Sequence, residues 1–169
     1  MMVFLIQSSK MSFMRNGLMD SYKYISENTI QHISLHDCCC SRMHWDESCL
    51  VLEMEWMEVL ASHPDNPFDK AHQSGMGRII LNEAVLESGE LMKDDHRTAI
   101  DTINEIKDFE ILDFDEIIND GRFELSLFGD SVRESEAEFI KMKVSYSSSI
   151  VMFNELGEIS WFESDIFSK

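Results

Sequence analysis

A group of side chains that can bind metals or act as nucleophiles lies between residues 32 and 49. Imidazole, thiolate and carboxylate groups are the usual protein ligands of zinc. On a strand, side chains two residues apart lie about 7 Å apart on one face, which is wide for one tetrahedral ion. No Cys-x-x-Cys pair reinforces the pattern, so the sequence predicts neither a metal nor another cofactor. The group consists of His32, His36, Asp37, Cys38, Cys40, His44 and Cys49.

Nucleophilic catalysis has one candidate in the chain, the cysteines Cys38 to Cys40 beside His36. A reactive thiolate needs a lowered pKa or an adjacent base. The surrounding acidity raises the pKa of a thiol, so the sequence predicts no catalytic residue and a protein that is not an enzyme. The alternative is a metal-binding or hydrolytic protein that uses the hairpin from His36 to His44.

The chain is strongly acidic, with 32 Asp and Glu against 14 Lys and Arg and a net charge of −18. This charge repels phosphate backbones and anionic membranes, which argues against nucleic acid or a membrane as a direct partner. Between residues 101 and 138, 13 acidic and 3 basic residues carry −10, and the other 131 residues carry −8. Such a field suits a basic protein partner. Acidity that only maintains solubility is the alternative.

We predict a partner-binding surface in this acidic stretch. Steering charges act mainly on the association rate, whereas apolar anchors act mainly on dissociation. The candidates are eight acidic residues and two apolar neighbours: Asp101, Glu105, Asp108, Glu110, Asp113, Phe114, Asp115, Glu116, Ile117 and Asp120.

Two alternating segments between Gln31 and Leu60 predict the β-hairpin around which the fold is organised. Trp45 to Ser48 supply the turn. In the first arm the predicted inner face holds Ile33, Leu35 and Cys39. In the second it holds Leu50, Leu52, Met54 and Trp56, while Glu53 and Glu55 face water.

The remaining pattern predicts a mainly β fold, α+β at the margin, built as an antiparallel sandwich or strongly curved sheet. It indicates about seven strands and one or two short helices. The predicted helices are 16–28 and 98–106, and a loop is the alternative for the second. A strand buried on both faces covers 78–86, and 109–118 fits either a strand or a helix. Further strands are predicted at 123–127 and 140–146, and a tight hairpin at 150–162 turning at 154–157.

The sequence contains no linker or repeat, so it predicts one domain over residues 1–169. The apolar run Met1 to Ile6 is too short for a membrane span. It is either a first strand or part of a leader, residues 1–10, before a start at Met11. Adjacent cysteines on a strand point to opposite faces, which indicates reduced thiols and a cytoplasmic protein.

The chain resembles the small, acidic, β-rich immunity proteins of bacterial contact-dependent inhibition and other polymorphic toxin systems. The residues that carry the resemblance are Leu35 to Cys38, the strand from Leu50 to Trp56, the strand from Gly77 to Leu81, and the acidic middle. The resemblance implies tight binding to a cognate toxin domain, often a nuclease. It carries no individual binding residue over to this chain.

Overall fold

The computed structural model describes residues 21–133 and 136–164, and these residues form strands and short 3-10 turns but no α-helix. The 3-10 turns are Ile30–His32 and Trp161–Glu163. The strands are β1 (Tyr24–Glu27), β2 (Ile33–Ser34), β3 (Cys38–Asp46), β4 (Cys49–Met54), β5 (Glu58–Val59), β6 (His72–Ser74), β7 (Gly77–Asn82), β8 (Val85–Lys93), β9 (His96–Ala99), β10 (Glu105–Asn119), β11 (Arg122–Arg133), β12 (Glu136–Tyr146), β13 (Ser148–Phe153) and β14 (Leu156–Ile159).

Ten of these strands form one large antiparallel sheet in the order β1-β13-β7-β4-β3-β10-β11-β12-β8-β9. The other four form a small sheet in the order β14-β6-β5-β2. Three strands of the large sheet are long, since β10, β11 and β12 have 15, 12 and 11 residues. They provide the broadest regular surface on the described part of the chain.

A bent two-stranded ribbon closes the large sheet on itself. Only Glu83 and Ala84 separate β7 from β8, and only Ser147 separates β12 from β13. The register continues through this corner, because Val85 lies opposite Ser145 and Asn82 opposite Ser148. At the corner, the Ser147 amide donates to the carbonyl of Asn82 at 2.9 Å. The bent strand formed by β7 and β8 thus pairs with the bent strand formed by β13 and β12 on both sides of the corner.

The closure follows from the remaining pairings of this ribbon. Its β7 half pairs with β4, and its β12 half pairs with β11. Strands β3 and β10 complete the circuit between β4 and β11. The hydrogen-bonded strands therefore surround a single interior, which side chains must fill.

Apolar side chains from every strand of the circuit fill this interior. Along β11 and β12 this set alternates with outward residues, as the two-residue period requires. Leu52, Ile79 and Phe109 are all fully buried in it, and Leu127 and Val151 join them. Burial of this apolar area is the main stabilising contribution to the fold.

The small sheet lies at one end of the closed sheet. Strand β2 precedes the start of β3, β5 follows the end of β4, β6 precedes β7, and β14 follows β13. These ends are neighbours, since Met54 lies opposite Gly77 and Gly77 opposite Phe153. Ile33 and Val59 from the small sheet are buried in the same core, so it seals that end.

The prediction of a mainly β, antiparallel fold is confirmed, but the number of strands was wrong, and neither predicted helix is present among the described residues. Residues 24–27 form β1, paired with β13, and the start of the predicted helix 16–28 lies outside the described residues. The segment 98–106 holds the end of β9, a bend and the start of β10. Ile103 and Ile106 are nevertheless buried, so an irregular loop reproduces helical spacing.

Within the central hairpin the second arm is confirmed in part and the first is corrected. Leu50, Leu52 and Met54 are buried and Glu55 is exposed, but β4 ends at Met54, and Trp56 and Glu53 are both half-buried. Cys38 and Cys40 point inward, so Cys39 lies on the other face. Ile33 belongs to the small sheet and not to the hairpin.

Three other strand predictions are settled by the pairing. The predicted strand 78–86 ends at Asn82, and Leu86 lies beyond the corner in β8. The ambiguous segment 109–118 is strand. The predicted hairpin at 150–162 is wrong, because β13 belongs to the large sheet and β14 to the small one. Residues 154 and 155 connect the two sheets, and Gly157, which was predicted in the turn, lies within β14.

Candidate functional site

The outer face of β10, β11, β12 and β8 carries most of the predicted partner-binding residues that remain exposed. Side chains opposite one another on adjacent strands form rows across this face. Three rows run from β10 to β8: Glu110, Asp130, Phe139 and Met92; Asp113, Phe128, Lys141 and Glu90; and Asp115, Ser126, Lys143 and Ser88. Each of the three rows begins with an acidic residue on β10.

A β-bulge in β10 places these acids on one face. The register shifts between Ile111 and Asp113 relative to β11. One extra residue reverses the alternation, so Glu110 before the bulge and Asp113 and Asp115 after it are all exposed on the outside. We call these three residues the acidic row. It runs along β10 and crosses the three rows described above.

The acidic row has no ion-pair partner among the residues that the structure describes. Its field reaches the neighbouring strand. Burial is the main cause that raises the pKa of Cys39 to about 11, and the charges of Glu55, Asp108 and Glu110 add to the effect. The row is therefore a set of exposed carboxyl groups without a partner in any ion pair of the described residues.

Two of the predicted contact residues face the interior. Phe114 packs against the core, and Glu116 accepts a hydrogen bond from the Tyr146 hydroxyl. Both lie on the inner side of β10 after the bulge, opposite Leu127 and Leu125. Their side chains are therefore not part of the exposed outer face.

The other predicted contact residues surround the acidic row. Glu105 bonds to Arg42 and lies 3.4 Å from the Lys107 amine, and these contacts lower the pKa of its carboxyl. Ile117 is exposed on the outer side. Asp101, Asp108 and Asp120 are exposed, and the last two have the left-handed conformation, Asp108 within β10 and Asp120 in the turn after it.

Two aromatic residues that the sequence did not single out lie beside the acidic row. The rings of Phe128 and Phe139 stack with centroids 5.7 Å apart, and Phe139 is 39% exposed. Their signal was present, because the alternation of Phe123, Leu125 and Leu127 leaves position 128 on the outside. The face thus combines carboxylates with accessible aromatic surface.

The cysteine and histidine group does not converge on one point. Within residues 21–133 and 136–164, no three His, Cys, Asp or Glu side chains are arranged to hold a metal ion. Burial raises the pKa of Cys38 and of Cys40 to about 12. These thiols are protonated at neutral pH, so they lack the thiolate that nucleophilic attack requires.

A serine and a histidine meet elsewhere, at the sealed end of the closed sheet. The Asp65 amide donates to Nδ1 of His63 at 3.1 Å, so the proton of the neutral ring is on Nε2. Burial lowers the pKa of His63 and favours this neutral form. Nε2 lies 3.2 Å from Oγ of Ser26 and donates to it. A histidine that donates to serine cannot take its proton, so the contact is structural.

Comparison with protein-family models, with curated proteins and with solved structures finds no match to this chain. Among the described residues, no helix has the length and apolarity needed to cross a membrane.

Proposed function

We propose that this protein is an immunity protein that binds a basic toxin domain, of the nuclease type, through the outer face of β10 and β11. The observation that carries the proposal is the acidic row, Glu110, Asp113 and Asp115, on a regular paired surface. Like charges held close together reduce folding stability, so their concentration is useful where it attracts a partner.

The electrostatics favour a protein partner with a basic surface. Exposed charges act over about 8–10 Å at physiological salt, so neighbouring carboxylates of the row act together on an approaching cation. The aromatic surface of Phe139 lies two strands away and supplies apolar contact area. A charged row that speeds encounter beside an apolar anchor that slows dissociation is typical of protein interfaces.

The assignment of the partner as a toxin domain comes from the resemblance to immunity proteins. A nuclease has a basic face that holds phosphate, and an acidic protein can cover it. A cytoplasmic location belongs to the same proposal, and the four free cysteines support it. The reading frame upstream of this gene tests this part directly. A large secreted protein with a basic C-terminal domain is expected there.

The contact surface is tested by neutralising the acidic row in one variant, Glu110→Gln, Asp113→Asn and Asp115→Asn. A control variant with Asp46→Asn, Glu47→Gln and Asp69→Asn changes the net charge equally at exposed positions away from this face. Association with the toxin domain encoded upstream is measured at about 50 and 200 mM salt. We expect the row variant to associate about tenfold more slowly at low salt, with a flatter salt dependence.

The control variant should associate at close to the unmodified rate. Equal rates for the two variants would show that total charge, and not the acidic row, governs encounter. Full protection of cells against the toxin by the row variant, together with unchanged rates, would place the interface elsewhere. The metal-binding alternative for the hairpin from His36 to His44 remains a hypothesis, and metal analysis of the purified protein tests it.

A further inference from the structure

A cleft of about 380 Å³ lies where the β8–β9 hairpin meets the outer face of β11 and β12. The sheet contributes three apolar side chains, Met92, Phe128 and Phe139. The hairpin contributes three charged ones, Asp94, Asp95 and Arg97.

The apolar wall of the cleft presents flat aromatic surface. The rings of Phe128 and Phe139 are nearly parallel, with 11° between their planes. Such a pair offers π faces to a planar or cationic group. Met92 lies opposite Phe139 in the sheet register and extends this wall onto β8.

The charged wall favours a cation. Two carboxylates, those of Asp94 and Asp95, and one guanidinium, that of Arg97, line this wall, and all three residues are exposed. On the sheet, Lys141 lies opposite Phe128, but the row next to it is acidic. The row that contains Phe139 and Met92 also contains Asp130 and Glu110, the first member of the acidic row.

We propose that this cleft binds a basic side chain of the partner protein, arginine in particular. Its guanidinium stacks on the Phe128 and Phe139 rings while the carboxylates of Asp94 and Asp95 accept its hydrogen bonds. Arginine fits better than lysine because its planar group stacks on aromatic rings and pairs with two acceptors at once. The inference rests on the proposed function for the source of this side chain.

The first test titrates the full-length protein alone with N-acetyl-arginine methylamide, followed by amide NMR shifts. Shifts are expected at residues 92–97 and at positions 128 and 139. N-acetyl-citrulline methylamide has the same shape without the charge. Its affinity should be lower by a factor of at least about three. Shifts spread over the whole surface, or equal binding of the citrulline compound, would overturn the inference. So would preferential binding of N-acetyl-glutamate methylamide at Arg97.

The second test uses variants with matched controls. Phe139→Ala removes half of the aromatic pair, and Phe162→Ala removes a phenylalanine of nearly equal exposure, 38%, outside the cleft. Phe139→Ala should weaken arginine binding about threefold or more, and Phe162→Ala should not change it. Equal binding by both variants would contradict the proposed stacking.

A charge variant keeps the test decisive if Phe139→Ala fails to fold. Asp94→Asn with Asp95→Asn should weaken binding of the arginine compound to the level of the citrulline compound. The control, Asp46→Asn with Glu47→Gln, neutralises two consecutive exposed acids at the β3–β4 turn. An equal loss in the control would mean that binding reports only net charge, which would overturn the inference.

These titrations contain no toxin, so their outcome is separate from that of the proposed function. Absence of arginine binding, combined with slower toxin association in the acidic-row variant, would remove the cleft inference and leave the function standing. Arginine binding at the cleft, combined with unaltered toxin association in the acidic-row variant, would leave the cleft inference standing and remove the proposed function.

Discussion

The hydroxyl of Tyr146 on β12 donates a hydrogen bond to the carboxylate of Glu116 on β10, across the intervening strand β11. Beyond Ile111, strand β10 no longer pairs with β3, so it is bonded on one side only. The Tyr146 to Glu116 bond fastens this extension from the interior. Stacking of Tyr146 on Phe123, with centroids 5.4 Å apart, holds the ring in place.

The first prediction concerns the Tyr146 hydroxyl. Tyr146→Phe retains the stacked ring but leaves the half-buried Glu116 carboxylate without its donor. It should lower the free energy of unfolding by about 1–3 kcal/mol. The measurement is urea unfolding followed by fluorescence. Tyr24→Phe is the control, because the Tyr24 ring packs on Phe153 and its hydroxyl bonds to no described residue. A loss as large in the control would show that removing any tyrosine hydroxyl has this effect, and that the bond to Glu116 is not its cause.

The second prediction concerns pH. Burial raises the pKa of Glu116 above its ordinary value of 4.5, and the bond from Tyr146 only partly opposes this. The folded state therefore binds more protons than the unfolded state above pH 4.5, so stability falls as pH rises through the window up to the raised pKa. Glu116→Gln removes this loss. Its unfolding free energy relative to the unmodified protein should increase from pH 4 to pH 7, as measured by denaturant unfolding at each pH. A difference that is constant with pH would contradict the prediction.

The third prediction concerns Gly129 at the bulge. A Cβ added there would lie 2.1 Å from the carbonyl oxygen of Glu110 and 2.7 Å from the Phe109 ring. Since neither the backbone nor a buried ring can move freely, Gly129→Ala should cost about 1–3 kcal/mol of stability. Gly157→Ala is the control, since the nearest atom to its added Cβ is 3.4 Å away. Comparable midpoints of thermal unfolding for the two variants would argue against a close approach at the bulge.

Strands with one solvent-exposed face were predictable from the sequence, because the alternation of apolar and polar residues along a strand is a local pattern. Leu125 and Leu127 in β11 are examples. The helix predictions failed where tertiary pairing overrode spacing, since Glu27 pairs with Ile150 on a strand more than a hundred residues later. The closure of the sheet was not predictable either. It depends on the corner at Ser147, which has no distinctive local pattern.

For the candidate site, composition predicted the acidic stretch but not the direction of each side chain. Simple alternation would place Glu110, Phe114 and Glu116 on one face. The bulge between Ile111 and Asp113 moves the last two inside and brings Asp113 and Asp115 out. A single extra residue in a strand leaves no clear trace in sequence, so only the pairing with β11 assigns the faces.

The closed sheet also bears on how this chain avoids self-association. A sheet edge with free amide and carbonyl groups is a template for pairing with another chain, and aggregation begins at such edges. In the described part of the molecule, the edge strands are short: four residues each in β1, β9 and β14, and two in β2. The long strands β11 and β12 lie inside the sheet, whereas β10 is paired on one side only beyond Ile111. This extension of β10 is therefore an open edge, and its exposed acidic side chains Asp113 and Asp115, together with the net charge of −18, oppose pairing with a second copy.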